Sequence, residues 1–148
     1  MNGNDITRNI EMTMSALIMY WRNYFEARMK KYSIKTVTIG AVLFSAYKHE
    51  GIVQDDICKM LNMDKAYVTR ELNTLEHLGY IWRERDEEDH RKNHVYATAA
   101  GKKAAMEIEK VRGEWSAIEY ANFSDEEKLD FLEKLHKIKT NVTGKVHG

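Results

Sequence analysis

MDKAYVTRELNTLEHLGY, residues 63–80, decides how the rest of the chain is read. Val68, Leu72, Leu75 and Leu78 recur at spacings of four, three and three, so a helix over Asp64–His77 gathers them into one apolar stripe. Asp64 stands where a carboxylate can accept from the free backbone N–H groups of the first turn. Gly79 is a stop signal, because glycine enters the left-handed conformation without steric cost. The other face carries Lys65, Tyr67, Thr69, Arg70, Asn73 and Thr74. Those side chains have little to bury and much to hydrogen-bond with.

The flanks give this helix a setting. Downstream, YIWRERDEEDHRKNHVYAT (residues 80–98) holds two short alternating runs, Tyr80–Arg85 and Asn93–Thr98, around a charged tip. Ile81, Val95 and Ala97 are expected to face the core, with His94 and Tyr96 on the other side. Upstream, Gln54–Leu61 reads as a short helix with Ile57 and Leu61 inward, joined through Asn62 and Met63. Before it, Thr36–Lys48 reads as a helix with Ile39, Val42, Leu43, Ala46 and Tyr47 inward. Two short helices, a tight connection and a following hairpin are the order of a winged helix-turn-helix, whose second helix enters the DNA major groove.

Long helices are expected at both ends. Over Thr7–Lys31, the residues Ile10, Met14, Leu17, Trp21, Tyr24 and Arg28 alternate by four and three, a seam wider than one globular partner needs. From Thr98 to about Tyr120 the same pattern runs through Ala104, Ile108, Val111, Trp115 and Ile118. Ser124 and Glu127 form a capping box that opens a last helix with Leu129, Leu132, Leu135 and Ile138 inward. The tail after Asn141 is expected to fray. The predicted class is mainly α (α+β): one domain over 1–148, with a DNA-binding lobe at 36–98 and dimerisation helices at 5–32 and 99–144. Ile10, Met14, Leu17, Trp115, Ile118 and Leu132 are the expected contacts to a second copy. A two-fold dimer would present two groove helices about 34 Å apart, one turn of DNA.

Composition narrows the partners. Lys plus Arg (23) equals Asp plus Glu (23), which opposes a non-specific coating protein and leaves room only for locally placed cations. The single cysteine, Cys58, excludes an intramolecular disulfide. No apolar run approaches a membrane span and no signal-peptide pattern opens the chain, so a soluble cytoplasmic protein is expected. The chain has no Gly-rich phosphate loop, nucleophile elbow or evident carboxylate pair, so it is not read as an enzyme.

The recognition segment DKAYVTRELNTLEHLGYI (64–81) and the wing RERDEEDHRKNHVYATAAGKKA (83–104) resemble the MarR family of transcription regulators. The most specific pieces are Asp89 and Arg91 in DHR, Thr98 and Gly101 in TAAG, and LEHLGYI after the reading helix. The resemblance implies a homodimeric, triangular winged-helix protein on a pseudo-palindromic operator. It also implies release by a small, often phenolic, anion, or activation, or oxidant or metal sensing, in different members. Val53 stands where the family usually caps the third helix with Ser or Thr, Ala97 stands where it usually has Leu, and the wing tip is unusually acidic.

Arg70 is the expected base reader, since a guanidinium pairs bidentately with guanine; the plainer reading is an ion pair to Glu71 or Glu76. Lys65, Tyr67, Thr69 and Asn73 are candidates for phosphate and base contacts, and Gln54 for a phosphate. Arg91 is expected in the minor groove with Asp89 holding its guanidinium, and Arg85 and Lys92 near phosphates. Asp86, Glu87 and Glu88 read as solvated charge. Trp21, Tyr24, Phe25 and Arg28 are candidates to line a pocket for a phenolic or aromatic-carboxylate effector, against the plainer reading of core or seam. Cys58 reads as an inert thiol. The histidines at 49, 77, 90, 94, 136 and 147 form no metal motif. The alternative to a DNA-binding regulator is a winged helix that docks proteins, or an anti-regulator that does not touch DNA.

Overall fold

The structure, a computed structural model, describes residues 2–146. Helix α1 spans Gly3–Met29, a turn earlier than the apolar pattern indicates, because Asn2 and Asp5 form a capping box. A single 3-10 turn, Lys30–Tyr32, ends at Ser33, whose φ of 58° breaks the helix. Helix α2 (Val37–Lys48) is capped by the Thr36 side chain. A two-residue strand β1 (Ile52–Val53) precedes α3 (Gln54–Leu61) and α4 (Lys65–His77). The wing follows as β2 (Ile81–Arg85) and β3 (Asn93–Ala97), then α5 (Ala99–Glu119) and α6 (Asp125–Val146). Strand order is β1-β3-β2, antiparallel throughout.

The chain forms two compact units, Met1–Arg112 and Gly113–Gly148. The first holds the core: Phe25, Met29, Ile34, Val42, Leu43, Ile57, Val68, Leu72, Leu75, Ile81, Val95 and Val111 are among its fully buried side chains. The wing alternation is as the sequence predicts, with Ile81, Val95 and Ala97 buried. β1 escapes sequence reading, since two residues carry no period; it pairs Ile52 with Val95 and Val53 with His94. Val53 supplies no side-chain cap to α3.

Helix α4 ends by a Schellman turn: Tyr80 N–H donates to Leu75 O at 2.9 Å and Gly79 N–H to Glu76 O at 3.0 Å, with Gly79 at φ +77°. Thr98 then ties the start of α5 to this elbow. Its N–H donates to Tyr80 O (3.0 Å), its hydroxyl to Gly79 O (2.6 Å), and it accepts from Gly101 N–H (3.0 Å). Gly101 lies so close that an added Cβ would sit 1.9 Å from Tyr80 O. The TAAG motif is therefore the clasp between α5 and the α4–β2 elbow.

Two expectations about the ends are corrected. α6 continues to Val146 instead of fraying after Asn141. Leu129, Leu132 and Ile138, expected inward, are exposed, and Leu135 is only half-buried, because a single helical face has nothing in its own unit to cover it. Ile10, Met14, Leu17 and Ile118 are exposed too, while Trp115 is half-buried.

Candidate nucleic-acid interface

Helix α4 is built as its sequence requires. Asp64 accepts from Tyr67 N–H at 2.8 Å and caps the first turn. Val68, Leu72 and Leu75 are fully buried, which fixes the helix rotation and leaves Lys65, Arg70, Asn73 and Thr74 exposed. Tyr67 and Thr69 are half-buried at the margin. Glu71 is the exception: it is 8% exposed and belongs to the core-facing side.

Arg70 uses neither carboxylate named as its alternative partner. Its guanidinium lies over the Tyr67 ring, 4.9 Å from the centroid, while Glu71 is turned to the core and Glu76 accepts from Arg83 Nε at 2.6 Å. Arg83 also donates from Nη2 to Asn73 Oδ1 at 2.7 Å. It thus fastens the wing to the reading helix and turns Asn73's amide N–H groups to be its remaining donors. Sequence reading passed over Arg83, although it shares the β2 face of Ile81 and stands where that alternation aims it at α4. Lys65 is exposed, 3.7 Å from Asp55.

Gln54 sits elsewhere than a phosphate contact would place it. It is 6% exposed, and its Nε2 donates to the Thr69 hydroxyl at 2.5 Å. Its Oε1 is buried without a partner. The first residue of α3 is inside because it lies on the helix face of buried Ile57, three residues on.

The acidic wing tip has an internal use. The Asp86 carboxylate accepts from Glu88 N–H (2.9 Å), Asp89 N–H (2.8 Å) and His94 Nε2 (2.7 Å). His94 Nδ1 faces Gly51 O at 2.9 Å, so the imidazole bridges the tip to the turn before β1. The bond from His94 and two backbone N–H groups lower Asp86 to about 2, and the Asp86 carboxylate, then the Gly51 carbonyl, raise His94 above its ordinary value. The reading of Asp86 as solvated charge is thus corrected: a carboxylate facing three donors is a structural hub. Glu87 and Glu88 remain exposed.

Asp89 takes Arg91 Nε at 3.1 Å and Nη2 at 3.4 Å, holding below its ordinary range a carboxyl whose partner guanidinium projects with 90% of its side chain exposed. Arg85 and Lys92 flank it, both exposed. On the exposed side of the sheet, Trp82 and Tyr96 stack at 4.3 Å, with Trp82 46% exposed.

The expected effector residues divide. Phe25 is 1% exposed and fills the space over Gly40, so it packs as core. Trp21 tilts against it at 5.4 Å, and Arg28 lies over Tyr24 and donates to its hydroxyl at 3.0 Å. Burial, then the charge of Asp55, raises the Cys58 thiol, which opposes the thiolate a redox sensor needs. Among the described residues no three His, Cys, Asp or Glu side chains are grouped to hold a metal, and no helix is long and apolar enough to cross a membrane. His147 lies outside the described residues.

Comparison with known proteins agrees with this geometry. The model of the MarR family matches residues 35–92, from just before α2 to the wing tip. An uncharacterized HTH-type transcriptional regulator of Bacillus subtilis (strain 168), YybA, is 26% identical over 141 residues, covering 94% of this chain and 89% of that one. A MarR transcriptional regulator from Methanosarcina mazei Go1 superposes with a TM-score of 0.77 at 28% identity, covering 93% and 98% of the two chains. The Staphylococcus aureus MepR–DNA complex shares the fold at a TM-score of 0.78 and 22% identity, over 95% and 98%.

Proposed function

We propose, from the likeness of residues 35–92 to the MarR family model, that this chain is a MarR-family, sequence-specific, DNA-binding transcriptional regulator acting as a homodimer on a pseudo-palindromic operator. The observation that carries this is the two-sidedness of α4: Val68, Leu72 and Leu75 are buried while Lys65, Arg70 and Asn73 are exposed. A helix held by one face and bare on a polar other face is what major-groove reading needs. Arg70, steadied on Tyr67, reads guanine; Lys65 meets phosphate; Asn73 donates from its free amide protons. Arg91, oriented by Asp89, enters the minor groove, with Arg85 and Lys92 near the backbone.

The exposed apolar faces of α1 (Ile10, Met14, Leu17) and of the second unit (Ile118, Leu132) are covered by a second copy, which supplies the second half-site reader. Repression relieved by a small phenolic or aromatic-carboxylate effector near Trp21, Tyr24 and Arg28 completes the reading, in the cytoplasm where the operator lies.

Selection of bound sites from random duplex DNA tests it. The expected result is an inverted repeat with half-sites about one helical turn apart, and affinity that falls steeply with added salt. Retention with no sequence preference, or none at all, overturns it. The exposed Trp82–Tyr96 stack and the zero net charge favour one rival, a protein-docking winged helix, which would leave random duplex DNA unbound at low salt.

A further inference from the structure

Thr69 has a hydroxyl with nothing left to donate. Its Oγ1 donates to the Lys65 carbonyl at 2.8 Å and accepts from Gln54 Nε2 at 2.5 Å. A threonine oxygen carries one proton and two lone pairs. The proton is spent on the helix's own backbone and one lone pair on a buried amide. Purine N7, guanine O6, thymine O4 and phosphate oxygens all require a donor, so this hydroxyl cannot serve any of them. What Thr69 retains for the groove is one lone pair, which only the amino groups of adenine or cytosine could use, and its γ-methyl, and the apolar mark in the major groove is the C5-methyl of thymine.

We infer that Thr69 reads a thymine in each half-site through methyl–methyl contact, and that Gln54 is the positioning residue that holds the hydroxyl away from the bases. This rests on the reading that α4 enters the major groove. Gln54 suits that task and little else. It is 94% buried, and one amide oxygen is left without a partner, a cost that leucine or methionine would avoid if packing were its only role. Among the described residues its one hydrogen-bond partner is Thr69, from across the α3–α4 turn. Thr69 is therefore placed by a side chain that touches no DNA.

The test needs only the full chain and the selected operator. Each thymine is replaced in turn by deoxyuridine, which removes the C5-methyl and nothing else. One position per half-site is expected to weaken binding about fourfold, the equivalent of one buried methyl. Thr69→Ser keeps the hydroxyl and both its hydrogen bonds but lacks the methyl, and is expected to lose the thymine-over-uracil preference at that position. The pair Gln54→Leu with Thr69→Val removes both hydrogen-bonding groups together, leaving no stranded donor, and is expected to keep the preference. The inference is overturned if wild type binds its operator and is indifferent to uracil everywhere. It is equally overturned if Thr69→Ser retains the preference, or if the folded Leu/Val pair loses it. Should that pair fail to fold, the wild-type scan and Thr69→Ser decide alone. Absence of any operator binding sinks the groove reading itself, and is distinguishable because no selected site then exists.

Discussion

Gly101→Ala should damage the protein far more than its single methyl suggests. An added Cβ would meet Tyr80 O at 1.9 Å and Tyr80 C at 2.8 Å, and these are backbone atoms that cannot swing aside. An ordinary contact requires the start of α5 to retreat from the α4–β2 elbow by more than about 1 Å, since packed carbon atoms sit roughly 3.5–4.0 Å apart. Overpacking of this kind costs about 1–3 kcal/mol. The retreat also pulls on two bonds from Thr98, to Tyr80 O (3.0 Å) and Gly79 O (2.6 Å). Each contributes about 1 kcal/mol, so the sum is about 3–5 kcal/mol. Against a usual stability of roughly 5–15 kcal/mol, that is a large share. Urea unfolding at fixed protein concentration reads it as a fall in midpoint with unchanged slope. Gly113→Ala is the internal control: its Cβ meets nothing within 4 Å, and Gly113 lies inside α5. Removing a helix-interior glycine should stabilise by roughly 0.5–1 kcal/mol. A Gly101→Ala midpoint matching wild type, or equal damage from both substitutions, would refute the clasp.

Three further outcomes are expected. Arg70→Ala should flatten base preference at one position per half-site and cost about 1–3 kcal/mol of discrimination there, read by repeating the site selection; an unchanged motif counts against it. His94 faces two acceptors, Asp86 and Gly51 O, so the doubly protonated ring satisfies both and the neutral ring only one. With Glu84 adding negative charge and His94 raised, its contribution is full below the unfolded value of roughly 6.5 and is lost as pH rises through the folded value. Asp86 contributes above the unfolded carboxylate value and loses this as pH falls through about 2. The wing should therefore be best anchored between about pH 4 and 6.5, with His94→Gln flattening the alkaline limb of operator binding; an NMR titration placing His94 at or below its ordinary value would exclude this. Leu17→Glu should shift the protein toward monomer in light scattering, by about 1–3 kcal/mol, since Leu17 has 43% of its surface left to bury and a two-fold interface counts it twice; an unaltered mass would remove α1 from the interface.

What could be read from the sequence was local. Asp64, the Val68–Leu72–Leu75 stripe and Gly79 each act within a turn or two of their own position, and α4 appears where they put it. Ser124 and Glu127 likewise bond each other at 2.8 and 3.1 Å. What escaped was set by partners distant in the chain. Asp86 looks like one more charge in a run until His94, itself held by the Gly51 carbonyl, closes on it. Arg83 becomes a brace only once the hairpin lies beside Asn73 and Glu76. Gln54 points inward because it shares the helix face of Ile57, three residues on, and its partner Thr69 lies on the next helix. Periodicity also names the apolar face of a helix without saying what covers it, which is why Phe25 is core and Leu132 bare.

The zero net charge and the acidic tip fit a DNA-facing wing once carboxylates are counted by where they point. Asp86 is spent on backbone N–H groups and His94, and Asp89 on Arg91. The second pairing cancels part of Arg91's long-range attraction, and in exchange fixes a side chain whose free rotation would otherwise cost about 1.5–2 kcal/mol to stop. On the proposed reading, a wing arranged in this way gives up loose attachment to any duplex and keeps a guanidinium already oriented for a narrow groove. On that reading, local placement of this kind would let an electrically neutral chain discriminate between sites, because Asp89 cancels on Arg91 part of the charge that would favour every sequence equally.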